Sequence, residues 1–140
     1  MIGAVPSPSA EVFLASLKRC LAVPGFMDDF YGRFVGSSPE VREKFKDTDM
    51  KRQAQVVADS LYVVANAVQS EEGSPAQREL PRIAARHSRA ERDIPPGLYD
   101  LWIGCLLDTA RVHDPQFGPE VERAWQEILG FGAEYMRQRY

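Results

Sequence analysis

Histidine and cysteine are scarce in this chain, with two of each among 140 residues. That scarcity excludes several chemistries. His87, His113, Cys20 and Cys105 lie far apart in sequence, so the usual closed zinc site has no ligand set. Each cysteine sits inside an apolar helical pattern and reads as a small buried hydrophobe, although sequence alone leaves a bridge between them open. There is no glycine-rich phosphate loop, no Cys-x-x-Cys, no nucleophile elbow and no Glu-x-x-His pair of the di-iron kind. No apolar run approaches the roughly 20 residues of a membrane span. Met1–Val5 lacks the charged-then-apolar order of a secretory leader. The expectation is a cytoplasmic protein with no membrane partner.

An excess of one charge is missing too. Lys and Arg number 17 against 20 Asp and Glu, for a net charge of -3. No basic stripe exists to meet phosphates, so nucleic acid is not an expected partner. In the densest basic stretch, Arg78 to Arg92, the cations alternate with Glu79, Glu91 and Asp93, the pattern of a solvated helix face. With 44% hydrophobic residues the chain is ordinary for a globular protein, and its length suits one domain over residues 1–140.

Strand signals are the last absence. Apolar residues recur at helical spacing nearly throughout, interrupted at Pro, Gly and Ser clusters. The first helix starts near Ser7 and carries Phe13, Leu17, Cys20 and Leu21 on one face. A second, about Phe26 to Val35, aligns Phe26, Phe30 and Phe34. Ser38-Pro39-Glu40 caps and opens a short helix ending at Phe45. A long one follows, roughly Asp49 to Gln69, with the seam Met50, Ala54, Val57, Leu61, Val64 and Val68. After the polar loop Ser70 to Ser74, a shorter helix runs from Pro75 or Pro81 to about Arg89. Two long ones follow, about Gly97 to Val112 and from Pro119 to the C-terminus. The fold class is therefore all-α, with about seven helices, two of them short.

His87 stands apart in this pattern. It lies four residues after Ile83 and seven after Leu80, so it points with the apolar face. A buried histidine either hydrogen-bonds a carbonyl in the core or ligates a metal; a neutral imidazole suits iron, and a haem needs only one protein ligand. His113, at a helix end beside Asp114, reads as a surface residue meeting the helix dipole.

The string Phe30-Tyr31-Gly32-Arg33-Phe34, with Pro39 and Phe45 beyond, resembles bacterial globins, including the globin domains of flavohaemoglobins and single-domain bacterial haemoglobins. Ile83-Ala84-Ala85-Arg86-His87 is similar to their proximal helix. Ile94, Pro95 or Pro96 and Tyr99 resemble the start of the next helix, and Asp114-Pro115-Gln116-Phe117 with Val121, Ala124 and Trp125 the start of the last. The resemblance covers about Ser9 to Met136. It implies a globin fold around one haem b, with His87 the proximal iron ligand and Phe45 against the porphyrin. Tyr31 and Gln53 would be polar residues facing the bound gas, and Val57 would sit one turn further on. Ile83, Ile94, Tyr99 and Trp102 would line the proximal side. Relative to flavohaemoglobins the Phe45–Gln53 interval is two residues short, which leaves Gln55 as the alternative to Gln53. The His87–Tyr99 interval is two residues longer than in those proteins. The late glutamate that buttresses the proximal histidine in those proteins has no evident equivalent, since its position falls near Tyr140 and Glu134 lies too early.

The resemblance implies reversible binding of O2, CO or NO at ferrous iron, the property behind oxygen transport in the family. Two donors, a Tyr hydroxyl and a Gln amide, would favour polar O2 over CO and slow its release, which suits sensing or chemistry better than transport. The alternatives are NO dioxygenation with a separate reductase, or a gas or redox sensor domain. The sequence leaves these open, together with the choice between monomer and homodimer.

Overall fold

The computed structural model describes residues 7–69, 75–87 and 95–139, and side chains over 9–68, 78–84 and 95–139. The described residues form seven helices and no strand: α1 (Ser7–Leu21), α2 (Phe26–Gly36), α3 (Pro39–Phe45), α4 (Met50–Gln69), α5 (Pro75–His87), α6 (Leu98–His113) and α7 (Pro119–Gln138). Their boundaries follow local chemistry. Gly25 turns the chain into α2 at φ +87°, a left-handed conformation that glycine adopts without a steric cost. Ser38 is extended, its hydroxyl accepts the Glu40 N–H at 3.1 Å, and Pro39 follows at the first helical position. The Asp49 carboxylate accepts the Arg52 N–H at 3.2 Å and opens α4. α5 starts at Pro75 and continues through Pro81, whose ring lies on an exposed face. Its expected extension to Arg89 lies outside the described residues.

Alternation of three and four residues buries one stripe of each helix. In α1 that stripe is Ala10, Phe13, Leu17 and Cys20, each fully buried. It meets Val121, Trp125, Ile128 and Leu129 of α7, and the Phe13 and Trp125 rings lie edge to face with centroids 4.8 Å apart. α1 and α7 form the spine of the packing. α4 lies against α1, α5 and α7, while α2 lies against α6 and α3. Helices α4 and α7 approach closely at Gly132, where an added Cβ would stand 3.3 Å from a Val64 methyl. A smaller cluster of Ile83, Ala84, Tyr99, Ala133 and Met136 joins α5, α6 and α7. Both cysteines are free thiols, Cys20 buried and Cys105 half-buried, as their apolar setting implied.

The polar corner between α6 and α7 holds a buried carboxylate. Asp114 receives Ser16 Oγ–H at 2.6 Å, Arg19 at 2.7 and 2.9 Å, and the Gln116 N–H at 2.9 Å, while Trp125 Nε1–H donates to Ser16 Oγ at 2.8 Å. Burial opposes the charged form of Asp114. The hydrogen bonds from Arg19 and Ser16, then that from Gln116 and the Arg19 charge, outweigh it and hold the carboxyl below the usual range. This network ties α1 to the α6–α7 corner and fixes where α6 ends.

Candidate functional site

Helix α2 brings Tyr31 to the inner side because Phe26, Phe30 and Phe34 occupy the neighbouring stripe. All four are buried. The Tyr31 ring packs against Phe30, with centroids 4.8 Å apart, and meets Phe45 edge-on at 5.9 Å. Phe45 also touches Phe34 at 5.8 Å. The short helix α3 thus folds its last residue back onto α2. The Tyr31 side chain is 6% exposed, and its hydroxyl points to the backbone carbonyl of Gln53 in the first turn of α4 at 3.5 Å. That is the outer limit of a hydrogen bond, well beyond the usual 2.7–2.8 Å for O–H···O. Burial pushes the phenol pKa upward against the opposing effect of the Gln53 contact, so Tyr31 is a neutral hydroxyl at physiological pH.

Gln53 itself is half-buried, and its N–H donates to the Asp49 carbonyl at 2.9 Å. Gln55, the alternative, lies on the exposed face with its amide on Asp59 at 2.9 Å. Val57 is half-buried against the main core, as is Trp102 of α6. Ile83 and Tyr99 pack together in the smaller cluster, beside Met136 and Ala133 of α7 and Ile103 of α6. His87 is the last residue of α5, and its side chain lies outside the described ones. Ile94 lies outside the described residues altogether. The structure therefore gathers Tyr31, Phe45 and Gln53 into one group and Ile83 with Tyr99 into another. The sequence reading did not include Met136, Ala133 and Ile103; only their helical register with Tyr99 and Ile83 signals them.

His113 differs from its expected surface role. Its side chain is 21% exposed, its Nε2 lies 2.8 Å from Asp29 Oδ2, and its ring meets Phe26 edge-on at 5.7 Å. The neighbouring Asp114 is turned inward to Arg19 and Ser16, so the pair is with α2, 84 positions away.

The donor set fits haem better than a bare ion. Among the described residues no three His, Cys, Asp or Glu side chains converge on a common point. A protein-held ion needs about four ligands, whereas a porphyrin supplies four nitrogens and asks one axial ligand of the protein. His87, the last residue of α5, would be the residue to supply that ligand. The half-buried apolar side chains Phe45, Val57 and Trp102, from three different helices, suit the flat faces of a macrocycle.

Seven helices in this order, with an aromatic second helix whose Tyr31 reaches the first turn of the long fourth and a histidine ending the fifth, suit a globin. The family model described as Globin matches residues 28–135, and the chain belongs to the globin family, whose members as a rule bind haem and through it diatomic gases. Among solved structures it is similar to PA3967 from Pseudomonas aeruginosa PAO1, described as structurally highly homologous to a human hemoglobin. The two are 36% identical over 94% of this chain and 98% of that one, with a TM-score of 0.88. No curated protein matches the sequence. No helix among the described residues is long and apolar enough to cross a membrane.

Proposed function

We propose that this globin holds haem b through His87 and binds O2 reversibly, with the Tyr31 hydroxyl as the principal hydrogen-bond donor to the gas. Haem, when bound, supplies the ferrous iron that takes a diatomic ligand. The observation that carries the reading is the Tyr31 hydroxyl, buried beside Phe45 and engaged, among the described residues, by a long 3.5 Å contact to a backbone carbonyl. A buried hydroxyl with so weak an acceptor gains by turning to a better one, and a gas ligand that carries partial negative charge would be such an acceptor. The raised phenol pKa keeps the proton on Tyr31, so it donates rather than repels. Phe30 and Phe45 pack against the ring, and Phe34 packs in turn against both of them. Water is excluded by the same aromatic group, which strengthens any hydrogen bond made there.

Gln53 is favoured over Gln55 as the second polar residue, because Gln53 is half-buried in the turn that faces Tyr31 and the Gln55 amide is engaged by Asp59 on the surface. Val57 extends the same side of α4 by one turn. On the opposite side Ile83, Tyr99 and Trp102 are the apolar partners of the porphyrin near His87, with Ile94 as an expected further contact.

Stopped-flow measurement of O2 release tests the reading. Tyr31→Phe removes one donor and keeps the ring, so release should accelerate roughly ten- to hundredfold, the equivalent of about 1.5–3 kcal/mol for a bond to a charged acceptor. CO release should change much less. An unchanged O2 rate in Tyr31→Phe would remove Tyr31 from the gas site.

A further inference from the structure

We propose that Pro81 is a joint built into α5: it lets the half of the helix that ends in His87 take its place from the end of α7 instead of from the main core, with Met136 as the positioning residue. The part that concerns His87 rests on the reading of that residue as the iron ligand. Three observations carry the proposal. Pro81 is the middle residue of the 13 in α5. A proline there has no N–H to give to the Gln77 carbonyl four residues back, and its ring crowds that carbonyl, which makes it the least favourable residue for a helix interior. Its side chain is exposed, so packing does not account for it. The buried residues on its two sides belong to different clusters. Leu80 is part of the main core, whereas Ile83 and Ala84 join Tyr99 of α6 and Ala133 and Met136 of α7. The seam between the clusters therefore falls at the proline. Lastly, the smaller cluster is tied across by an ion pair: Arg137 Nη2–H donates to Asp100 Oδ1 at 2.6 Å, and these residues directly follow Met136 and Tyr99.

A helix passes a displacement along its axis because each turn is bonded to the next. Where a proline removes one of those bonds, the two halves bend relative to each other at lower cost. Arg82 pairs with Glu79 across the proline at 3.1 Å, but with 75% and 43% of the two side chains in solvent the pair adds little stiffness. α4 lies along α5, and Val63 packs against both clusters. What differs between the halves is the seat at the end of α7. Leu80 holds the first half in the main core, while Ile83 and Ala84 hold the second against Ala133 and Met136. Met136 is buried there, and its unbranched thioether chain adapts to small movements of its neighbours. His87 lies one turn beyond Ile83 on that second half, so its place is set from α7.

Amide hydrogen exchange and resonance Raman spectra of the full chain test this, on wild type, Met136→Ala, Pro81→Ala and the double variant. In Met136→Ala, protection at Ala84 to His87 should fall about tenfold while that at Glu79 and Leu80 stays as in wild type, because a cavity is felt by what packs on it. With Pro81→Ala added, the restored bond joins the halves, and both stretches should share the loss. In the reduced, haem-loaded protein without gas, the iron–histidine stretching band should shift by several wavenumbers in Met136→Ala and by clearly less in the double variant. Met136→Leu keeps the volume and makes the same comparison at smaller amplitude should the alanine variant unfold. The exchange arm needs no haem, so it separates failure of the joint from failure of the haem reading. Equal loss of protection on both sides of Pro81 in the Met136 variants overturns the joint. An uneven loss with an unmoved iron–histidine band overturns the role of Met136 toward His87, and a band absent altogether overturns His87 as ligand and that role with it.

Discussion

Asp114 receives four hydrogen bonds while buried between α1 and α7, whereas Tyr31, also buried, has one long hydroxyl contact among the described residues. The contrast separates a structural polar group from one with unused capacity. Replacing Asp114 with asparagine should cost about 2–3 kcal/mol in urea melts. That lies below the roughly 3–5 kcal/mol of breaking a fully buried pair, because Arg19 keeps 25% of its side chain in solvent and can rehydrate. The sign of the pH effect follows from the lowered carboxyl pKa: the stabilisation is complete above the ordinary carboxylate value of 3.8 and is lost as pH falls below it. Acid unfolding of Asp114→Asn should accordingly lack part of the steep limb seen in wild type. None of this was legible in the sequence, because Ser16 and Arg19 lie 98 and 95 positions from Asp114. His113 was likewise read from its neighbour in sequence, while its partner in space is Asp29. Tyr31, Phe45 and Gln53 were legible because a resemblance named them, not because their spacing implies contact.

Among the elements, periodicity was the reliable guide. The α1 stripe of Phe13, Leu17 and Cys20 and the α2 stripe of Phe26, Phe30 and Phe34 are buried as their three- and four-residue spacing required. Helix starts were legible wherever a serine, a proline or both marked them. Ser38→Ala removes the acceptor for the Glu40 N–H and should cost about 1 kcal/mol in thermal melts, with local fraying of α3 and with it of Phe45. Less legible was α5, where Pro75 and Pro81 offered two starts; the helix uses the first and tolerates the second on its exposed face. The close approach of α4 and α7 was not legible either, because a glycine inside a helix carries no pattern of its own. Gly132→Leu would drive a side chain into Val64 at the crossing and should destabilise by about 1–3 kcal/mol. Equilibrium unfolding measures it, and a neutral result would mean that the two helices can separate freely.

For the molecule as a whole, the order and lengths of seven helices carry the family, and the family model and the solved relative agree with it over most of the chain. On the proposed reading, what turns that fold into a gas-binding protein is His87, the last residue of α5, as iron ligand together with the Tyr31 hydroxyl on α2 as donor to the gas. The absorbance spectrum of the purified protein, loaded with haemin, reduced and then aired, tests this most directly, alongside the same spectra of His87→Ala. The account predicts a Soret band that shifts when O2 is admitted and is lost or becomes that of loosely held haem in His87→Ala. A protein that takes up no haem, or a variant whose bands and O2 response match those of wild type, would contradict it.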